Sequence, residues 1–548
     1  MANKTLFKSS RGRQLPAANT RNEAGGSAYV LGAKQELAQY VMTGCANGTY
    51  YASAQEQLDK VLKLCSEVSD TFIAQLAVYA RKRGYMKDMP ALLCAVLTTR
   101  DARVFDWVAH DVIDSVKMLR NFVQIMRSGI VGRKSLGTRP KRFIQEWLFR
   151  QSDEALFRGS VGQNPSLADI LKMVHPKPAT DSRAALYAYL IGKECDASKL
   201  PELVREYEAF KAQLTNGAVN STRSDDRSIS TVLSKLFKKT PDLGQQPGVP
   251  DVPFQMLTSL PLSSREWVQI ACNAGWQMTR MNLNTFARHG VFKVSQMKQV
   301  IATRLADRKK VSRARVFPYQ LLASYMAAGK DIPHAVKEAL QDAMEFAVEN
   351  VPSVDGQVYV CPDSSGSMGS PVTGYRKGST SSVNCVQVAA LVAAVFLRQN
   401  RSARVLPFHD RVISVDLNAR DSIMTNATKL SSLGWGGTSC SAPLAELNRE
   451  KAQGDLVIFI SDNQSWVDHQ HGRGTAMMQE WNIFKLRNPK ARLVCIDIQP
   501  YGTTQAAERE DILNIGGFSD QVFQIIADFA NGSLDNGHWV KVIESVKL

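Results

Sequence analysis

A chain of 548 residues is too long for one hydrophobic core and divides into at least two domains. Its 44% hydrophobic and 22% charged residues exclude a disordered chain, and its longest apolar run, roughly Val388 to Leu397, is too short to cross a bilayer. The formal net charge of +16 is unevenly placed: residues 1–350 hold 49 Lys and Arg against 32 Asp and Glu, whereas residues 351–548 hold 18 against 19. A pI near 9.4 with one basic half points to a polyanionic partner, nucleic acid first among them, against the plainer alternative of a solvated lysine-rich face. Nine scattered cysteines with no C-x-x-C pair argue against a disulfide or zinc framework and for a reducing, cytoplasmic setting. The polar start Met1-Ala2-Asn3-Lys4 has no apolar signal core, so no membrane role is expected.

From about residue 30 to 345 the apolar residues recur at three- and four-residue steps. Leu58, Val61, Leu62, Cys65 and Val68, then Phe72, Leu76 and Tyr79, make one such stripe. Val104, Trp107, Val108, Val112, Val116 and Leu119 predict another helix. The helices are broken by short punctuators such as Gly84, Met89-Pro90 and Gly129. Alternating strand patterns of comparable strength are missing, and a long helical array with short breaks predicts stacked helix pairs, an α-solenoid with degenerate repeats. The stretch 216–253, rich in Ser, Gly, Pro and Asp, reads as a surface excursion with one short helix over Val232–Lys239.

After Gly356 the pattern changes. Short β-branched runs at Val358–Cys361, Arg404–Phe408, Val412–Val415, Asp455–Ile460 and Leu493–Ile498 predict strands. Helical segments such as Val383–Leu397 and Ala476–Leu486 separate most of them. Strands alternating with helices predict a doubly wound, mostly parallel sheet beginning near residue 350.

Three oxygen-bearing loops succeed these strands. Asp363-Ser364-Ser365-Gly366-Ser367 comes directly after Val358–Pro362 and offers one carboxylate and two hydroxyls at alternate positions. Gly434-Trp435-Gly436-Gly437-Thr438-Ser439 permits close backbone approach and adds the Thr438 hydroxyl. Leu456–Ile460 ends in Ser461-Asp462, a second carboxylate. In a parallel sheet the strand ends share one edge, where open α/β folds bind ligands. Mg²⁺ takes oxygen ligands at ~2.1 Å and keeps several waters, which suits this set. The competing reading has Ser365 and Ser367 only capping the next helix.

The basic half carries its own clusters. Arg81 to Lys87 ends one helix; residues 133–142 hold five Arg or Lys, including Lys134, Arg139, Lys141 and Arg142, ahead of a helix at Phe143–Leu148; and Met173 to Pro178 forms a corner with His175 and Lys177. Lys and Arg neutralise phosphates, and so many like charges in ten residues repel unless an anion is expected. Trp276 to Gly290 interleaves Gln277, Arg280, Asn282, Asn284 and Arg288 with Trp276, Met278, Met281 and Phe286. It reads either as a buried hydrogen-bond network or as an RNA-facing wall.

The Asp-x-Ser-x-Ser, Gly-Gly-Thr and Ser-Asp motifs resemble the von Willebrand factor A domain and its metal-ion-dependent adhesion site, over roughly residues 352–548. That resemblance implies Asp363, Ser365, Ser367, Thr438 and Asp462 around a divalent cation, Mg²⁺, with a carboxylate of a protein partner completing the coordination. The stretches Tyr85–Leu92, His175-Pro176-Lys177-Pro178 and Trp276–Gly290, together with those motifs further along the chain, resemble the TROVE family of RNA-binding proteins, of Ro type. The family implies a ring-like α-solenoid of HEAT-like helical hairpins over residues 20–345, joined to a Rossmann-like A domain over 352–548. It implies a monomeric, noncatalytic ribonucleoprotein scaffold in RNA quality control or processing. Y RNA would bind the basic outer surface at Lys134, Arg139, Lys141, Arg142, His175 and Lys177. Single-stranded ends of misfolded noncoding RNAs would enter a central hole near Lys87, Arg280, Arg288 and His289, and an exoribonuclease is an implied partner. Where the family often has an acidic residue directly after Gly-Gly-Thr, this chain has Ser439, which weakens the expected metal affinity or shifts it onto Asp462. Two other functions compete: an adhesion module on a helical scaffold without RNA, and a metal-dependent phosphoesterase. The second needs several carboxylates around two ions ~4 Å apart, and its base candidate, His409, comes after a different strand.

Overall fold

The structure is a computed structural model and describes residues 15–43, 52–218, 248–316, 318–349, 351–372, 383–467, 474–499, 501–517, 520–532 and 538–548. The short helix expected at Val232–Lys239 lies outside the described residues. The chain folds as two compact units, one of Met1–Val112, Arg315–Ala327 and Gln341–Leu548, the other of Ile113–Ala314 and Ala328–Leu340.

The first unit is built on a five-stranded parallel sheet. Its strands are β3 (Val358–Pro362), β4 (Arg404–Val405), β5 (Leu456–Ser461), β6 (Arg492–Asp497) and β8 (Ile512–Gly516), in the spatial order β4-β3-β5-β6-β8. β3 and β5 are buried along their whole length, as expected for strands covered on both faces and written as continuous apolar runs. Helix Cys385–Gln399 is apolar on nearly all sides and starts at an Asn384–Gln387 capping box. Chain order runs from β3 to β4 on one side and returns to β5 on the other, so the topological switch point falls between β3 and β5. The register pairs Pro362 with Ile460 and Ser461 with Asp497, which brings the residues after β3 and β5 together at the carboxyl edge.

Val412–Val415 forms no strand; Val412 makes one antiparallel bridge to Phe408 as the chain folds back on the edge strand. The Ile512–Gly516 strand is one the sequence reading missed, because Asn514 and the terminal Gly516 break its apolar run. Two further short strands lie near the amino end: β1 (Thr20–Arg21) and β2 (Ser27–Val30) form a hairpin, and β2 pairs antiparallel with β7 (Thr503–Thr504). Helix Ala33–Thr43 then packs on β8, and its Gln35 amide donates to the Asn514 carbonyl at 2.5 Å. Residues 15–43 are therefore part of the sheet unit.

The helices match the predicted periods with three corrections. The stripe from Val104 to Leu119 is two helices, Ala102–Val112 and Val116–Ser128, because Ser115 accepts from the Met118 amide and starts the second. Trp107 is exposed and lies outside the core. Met89-Pro90 opens helix Asp88–Thr99 instead of breaking one, since a proline in the first turn replaces an amide that has no helical acceptor.

In the second unit a half-buried guanidinium ties helices together. Arg304 donates to the Ala271 and Cys272 carbonyls, both at 2.6 Å, and to the Thr279 hydroxyl at 3.0 Å. Trp276 Nε1 donates to the Leu305 carbonyl at 3.0 Å. Arg304→Ala is expected to destabilise this unit by about 2–4 kcal/mol, because three acceptors lose their donor; a urea titration monitored by tryptophan fluorescence measures it. A loss below about 1 kcal/mol contradicts this account of the junction.

Candidate metal centre and basic surface

All five oxygen-bearing residues expected at the centre are buried and lie on the loops at the carboxyl edge: Asp363, Ser365, Ser367, Thr438 and Asp462. The Asp363 amide donates to the Ile460 carbonyl at 3.0 Å, which extends the β3–β5 ladder past the strand end and fixes the aspartate beside β5. One carboxylate oxygen of Asp363 accepts from the Ser365 amide at 2.7 Å and the other from the Ser461 hydroxyl at 2.6 Å. Ser365 Oγ and Ser367 Oγ are 3.4 Å apart. Ser365 makes no side-chain cap to the short helix Gly366–Gly369, and Asn384 caps the next helix along the chain. The capping explanation of the two serines therefore does not hold.

The Gly-Gly-Thr loop is stitched to both neighbouring loops. Gly366 N–H donates to the Gly436 carbonyl at 3.2 Å, Ser439 N–H to the His409 carbonyl at 2.8 Å, and Trp466 N–H to the Thr438 carbonyl at 3.1 Å. Gly436 is required by contact: a Cβ there would lie 2.5 Å from His409 Nδ1. His409 is buried, and its Nδ1 accepts the Asp410 amide at 2.6 Å, so that nitrogen is committed to the loop.

Electrostatics make the centre receptive to a cation. Burial raises the Asp363 carboxyl above its usual range, with the hydrogen bonds from Ser461 and Ser365 opposing. Burial, and then the Asp363 charge, push Asp462 up to about 7. Asp462 Oδ1 accepts the Gln464 amide at 3.2 Å, while Oδ2 is buried with no hydrogen-bond partner. A buried carboxylate oxygen without a partner is costly, and a divalent cation is the group that would satisfy it. Two carboxylates with hydroxyls fit Mg²⁺, which keeps several waters. Among the described residues no cluster of three or more His, Cys, Asp or Glu could hold a metal ion, so the donor set is rich in hydroxyls.

The mouth of the centre carries exposed apolar side chains: Trp435, Trp466 and Val467 are 57%, 45% and 41% exposed. Trp435 lies against Gly369, and Trp466 and Val467 lie against Gly437, so rings flank both the serine turn and the threonine loop.

The basic residues cluster by unit. Residues of the second unit include 34 Lys and Arg against 19 Asp and Glu, nearly the whole excess of the chain. Lys134, Arg139, Lys141 and Arg142 are all exposed. Helix Thr138–Arg150 begins five residues before the expected Phe143, so three of these cations sit within its first two turns, with no acidic residue in the first. Cations there oppose the helix dipole, and an anion would relieve the conflict. Gln145, one turn beyond Lys141 on the same face, donates to the Val174 carbonyl at 2.5 Å. That bond brings the His175 corner beside the helix; His175 itself is exposed and in the left-handed region at φ 47°, and Lys177 is exposed two residues on.

The segment Trp276–Gly290 divides between its two expected roles. Trp276 and Thr279 face the Arg304 network, and Arg280 is buried beside Gln277, whereas Gln277, Met281 and Arg288 are exposed. His289 is stacked on Trp267 with ring centroids 4.0 Å apart, and burial, then Arg288, lower its pKa. Lys87 is exposed and belongs to the first unit. Sequence reasoning passed over the helix Arg308–Ala314, where Arg308, Lys309, Lys310 and Arg313 are exposed and which packs on helix Trp276–Met281. Four cations in six positions were visible in the sequence; their place beside Arg280 was not.

A doubly wound sheet with an oxygen-lined cleft at its switch point, on a chain whose second unit is helical and basic, defines a helical scaffold carrying an A-type domain. Residues 357–530 match the family described as the Ro60 vWA domain. Over 554 residues the chain is 22% identical to the RNA-binding protein RO60 of Deinococcus radiodurans, covering 95% of this chain and 97% of that protein. The crystal structure of the Deinococcus radiodurans RO (RSR) protein shares the fold with a TM-score of 0.59 at 18% identity, over 92% of this chain and 100% of that one. Residues 357–530 are thus a Ro60-type von Willebrand factor A domain, and the chain as a whole is similar to an RNA-binding protein of Ro type.

Proposed function

We propose that this chain is a noncatalytic RNA-binding protein of Ro type, whose second unit takes RNA and whose A domain takes a divalent cation and a protein partner. The observation that carries the RNA reading is the concentration of cations in one unit, with Lys134, Arg139, Lys141 and Arg142 exposed in and just before the first turns of one helix and the exposed corner of His175 and Lys177 tied to that helix through Gln145. A Y-like small RNA is the expected occupant there, since a folded RNA presents phosphates in arrays that such a cluster can neutralise. Arg288 and the exposed Arg308, Lys309, Lys310 and Arg313 offer a second basic set, with Arg280 buried in the neighbouring helix, suited to single-stranded ends of misfolded noncoding RNA. In this reading the protein works in the cytoplasm as a scaffold that hands RNA to an exoribonuclease. Filter binding of a small structured RNA between ~50 and ~200 mM salt is expected to lose about a hundredfold in affinity, for four or five phosphate contacts. A flat series removes the RNA reading.

Asp363, Ser365, Ser367, Thr438 and Asp462 would hold Mg²⁺, directly or through water. The ion would supply positive charge for a carboxylate of a partner protein. Trp435, Trp466 and Val467 support a protein partner, since exposed tryptophans around a polar centre are the usual anchors of an interface. The phosphoesterase reading gains nothing from His409, whose Nδ1 is bound within its own loop.

A further inference from the structure

We infer that the amino-terminal hairpin is a clasp that positions the Asp462 loop, so that cation affinity is set partly by residues more than four hundred positions away in sequence; the inference rests on the cation reading above. The connection from β5 to helix Ala476–Arg487 begins with Asp462, and the hairpin grips the described residues at both of its ends. At the first end, Asn22 Nδ2 donates to the Ser465 carbonyl at 2.7 Å, and Asn22 Oδ1 accepts the Gly26 amide at 2.7 Å. The Ala24 amide donates to Gln464 Oε1 at 3.3 Å. Gly26 approaches so closely that a Cβ on it would lie 2.0 Å from the Ser465 carbonyl oxygen. At the far end, the Tyr29 hydroxyl donates to the Pro16 carbonyl at 2.8 Å and accepts the Thr475 amide at 3.4 Å, just before the helix.

These contacts reach the centre through few atoms. Gln464 N–H binds Asp462 Oδ1, and Ser465 Oγ accepts the Cys440 amide at 3.0 Å and donates to the Thr438 carbonyl at 3.3 Å. The backbone that the hairpin holds is thus the backbone that orients both Asp462 and Thr438. A second tie runs from helix Ala33–Thr43, where Gln39 Nε2 donates to Asp497, the strand-end neighbour of Ser461. Asn22, Gly26 and Gln39 touch no expected metal ligand in any of these bonds, and Ser465 reaches only the main-chain carbonyl of Thr438; they act by placing the ligands. Outer residues of this kind commonly change metal affinity ten- to a hundredfold when replaced.

The test is Mg²⁺ titration calorimetry on the full chain, beside hydrogen exchange of the amides of residues 463–467. Asn22→Ala and Gly26→Ala are expected to weaken Mg²⁺ binding about tenfold and to speed exchange over 463–467 even without metal. Thr20→Ala, on the same hairpin away from the loop, is expected to change neither. Far-ultraviolet circular dichroism and RNA binding show that each variant is folded. Mg²⁺ affinity equal to wild type in folded Asn22→Ala and Gly26→Ala overturns the clasp while leaving the cation reading intact. Wild-type protein that takes no Mg²⁺, like Asp363→Ala, overturns both.

Discussion

Replacing Lys134, Arg139, Lys141 and Arg142 together by alanine is expected to weaken RNA binding on the order of a hundred- to a thousandfold at ~100 mM salt. The slope of log K against log salt should become shallower by roughly three to four, because each lost phosphate contact removes about 0.9 from it. The four side chains are exposed, and the apolar face of the helix that carries three of them, Phe143, Ile144, Trp147 and Leu148, is untouched, so the fold should survive. His175→Ala should cost only a fewfold, since an imidazole adds direction more than charge. The measurement is the same filter assay, with thermal unfolding as the control for integrity. A folded quadruple variant that binds within about threefold of wild type would move the RNA surface elsewhere, first to Arg308–Ala314.

The second large effect concerns the buried acids of the A domain. Asp462 is held at about 7 by burial and the nearby Asp363 charge, Asp363 is raised by burial, and burial and then Asp462 push Asp497 well above the carboxylate range. A raised carboxyl keeps its proton in the folded metal-free protein after the unfolded chain has released its own. In that window the folded state binds more protons, so stability falls as pH rises. The stabilisation is complete below about pH 4 and is lost as pH approaches about 7, amounting to roughly 4 kcal/mol for Asp462 alone. Mg²⁺ needs the ionised form, so its binding should strengthen over the same range and offset that loss at pH 8. Calorimetric unfolding in EDTA and in Mg²⁺ from pH 5 to 8 reads both effects. Asp462→Asn should make the EDTA profile shallower, leaving the share of Asp363 and Asp497, and should remove the Mg²⁺ stabilisation; an unchanged slope or a retained Mg²⁺ effect would show that other groups are responsible.

Much of this was legible in the order of residues. Continuous apolar runs at Val358–Pro362 and Leu456–Ile460 can only be strands buried on both faces, and a parallel sheet sets the loops leaving both strands at one edge. That geometry accounts for four of the five oxygen-bearing residues of the centre; Thr438 comes from the loop after helix Ile423–Ser431. The helical half was legible from its period, although Ser115 divided one expected helix and the basic helix started at Thr138 instead of Phe143. The first misjudgement comes from capping, where one side-chain hydrogen bond decides a boundary that periodicity leaves open; the basic helix instead starts after Gly137, at φ 73° and with no side-chain cap.

Tertiary structure alone decided the rest. Local pattern says nothing of which surface an element will cover, so residues 15–43 gave no sign of pairing β2 with β7 or of holding the loop after Asp462. The depth of Asp462 and the unpaired state of its second oxygen result from burial by distant segments. The tie between the His175 corner and the helix that carries Lys141 is an amide of one helix reaching a carbonyl of another. Residue types and their spacing determine which chemistry this chain can carry; packing between distant segments determines where that chemistry is assembled and how tightly it is held, because burial and electrostatic coupling are properties of neighbours in space.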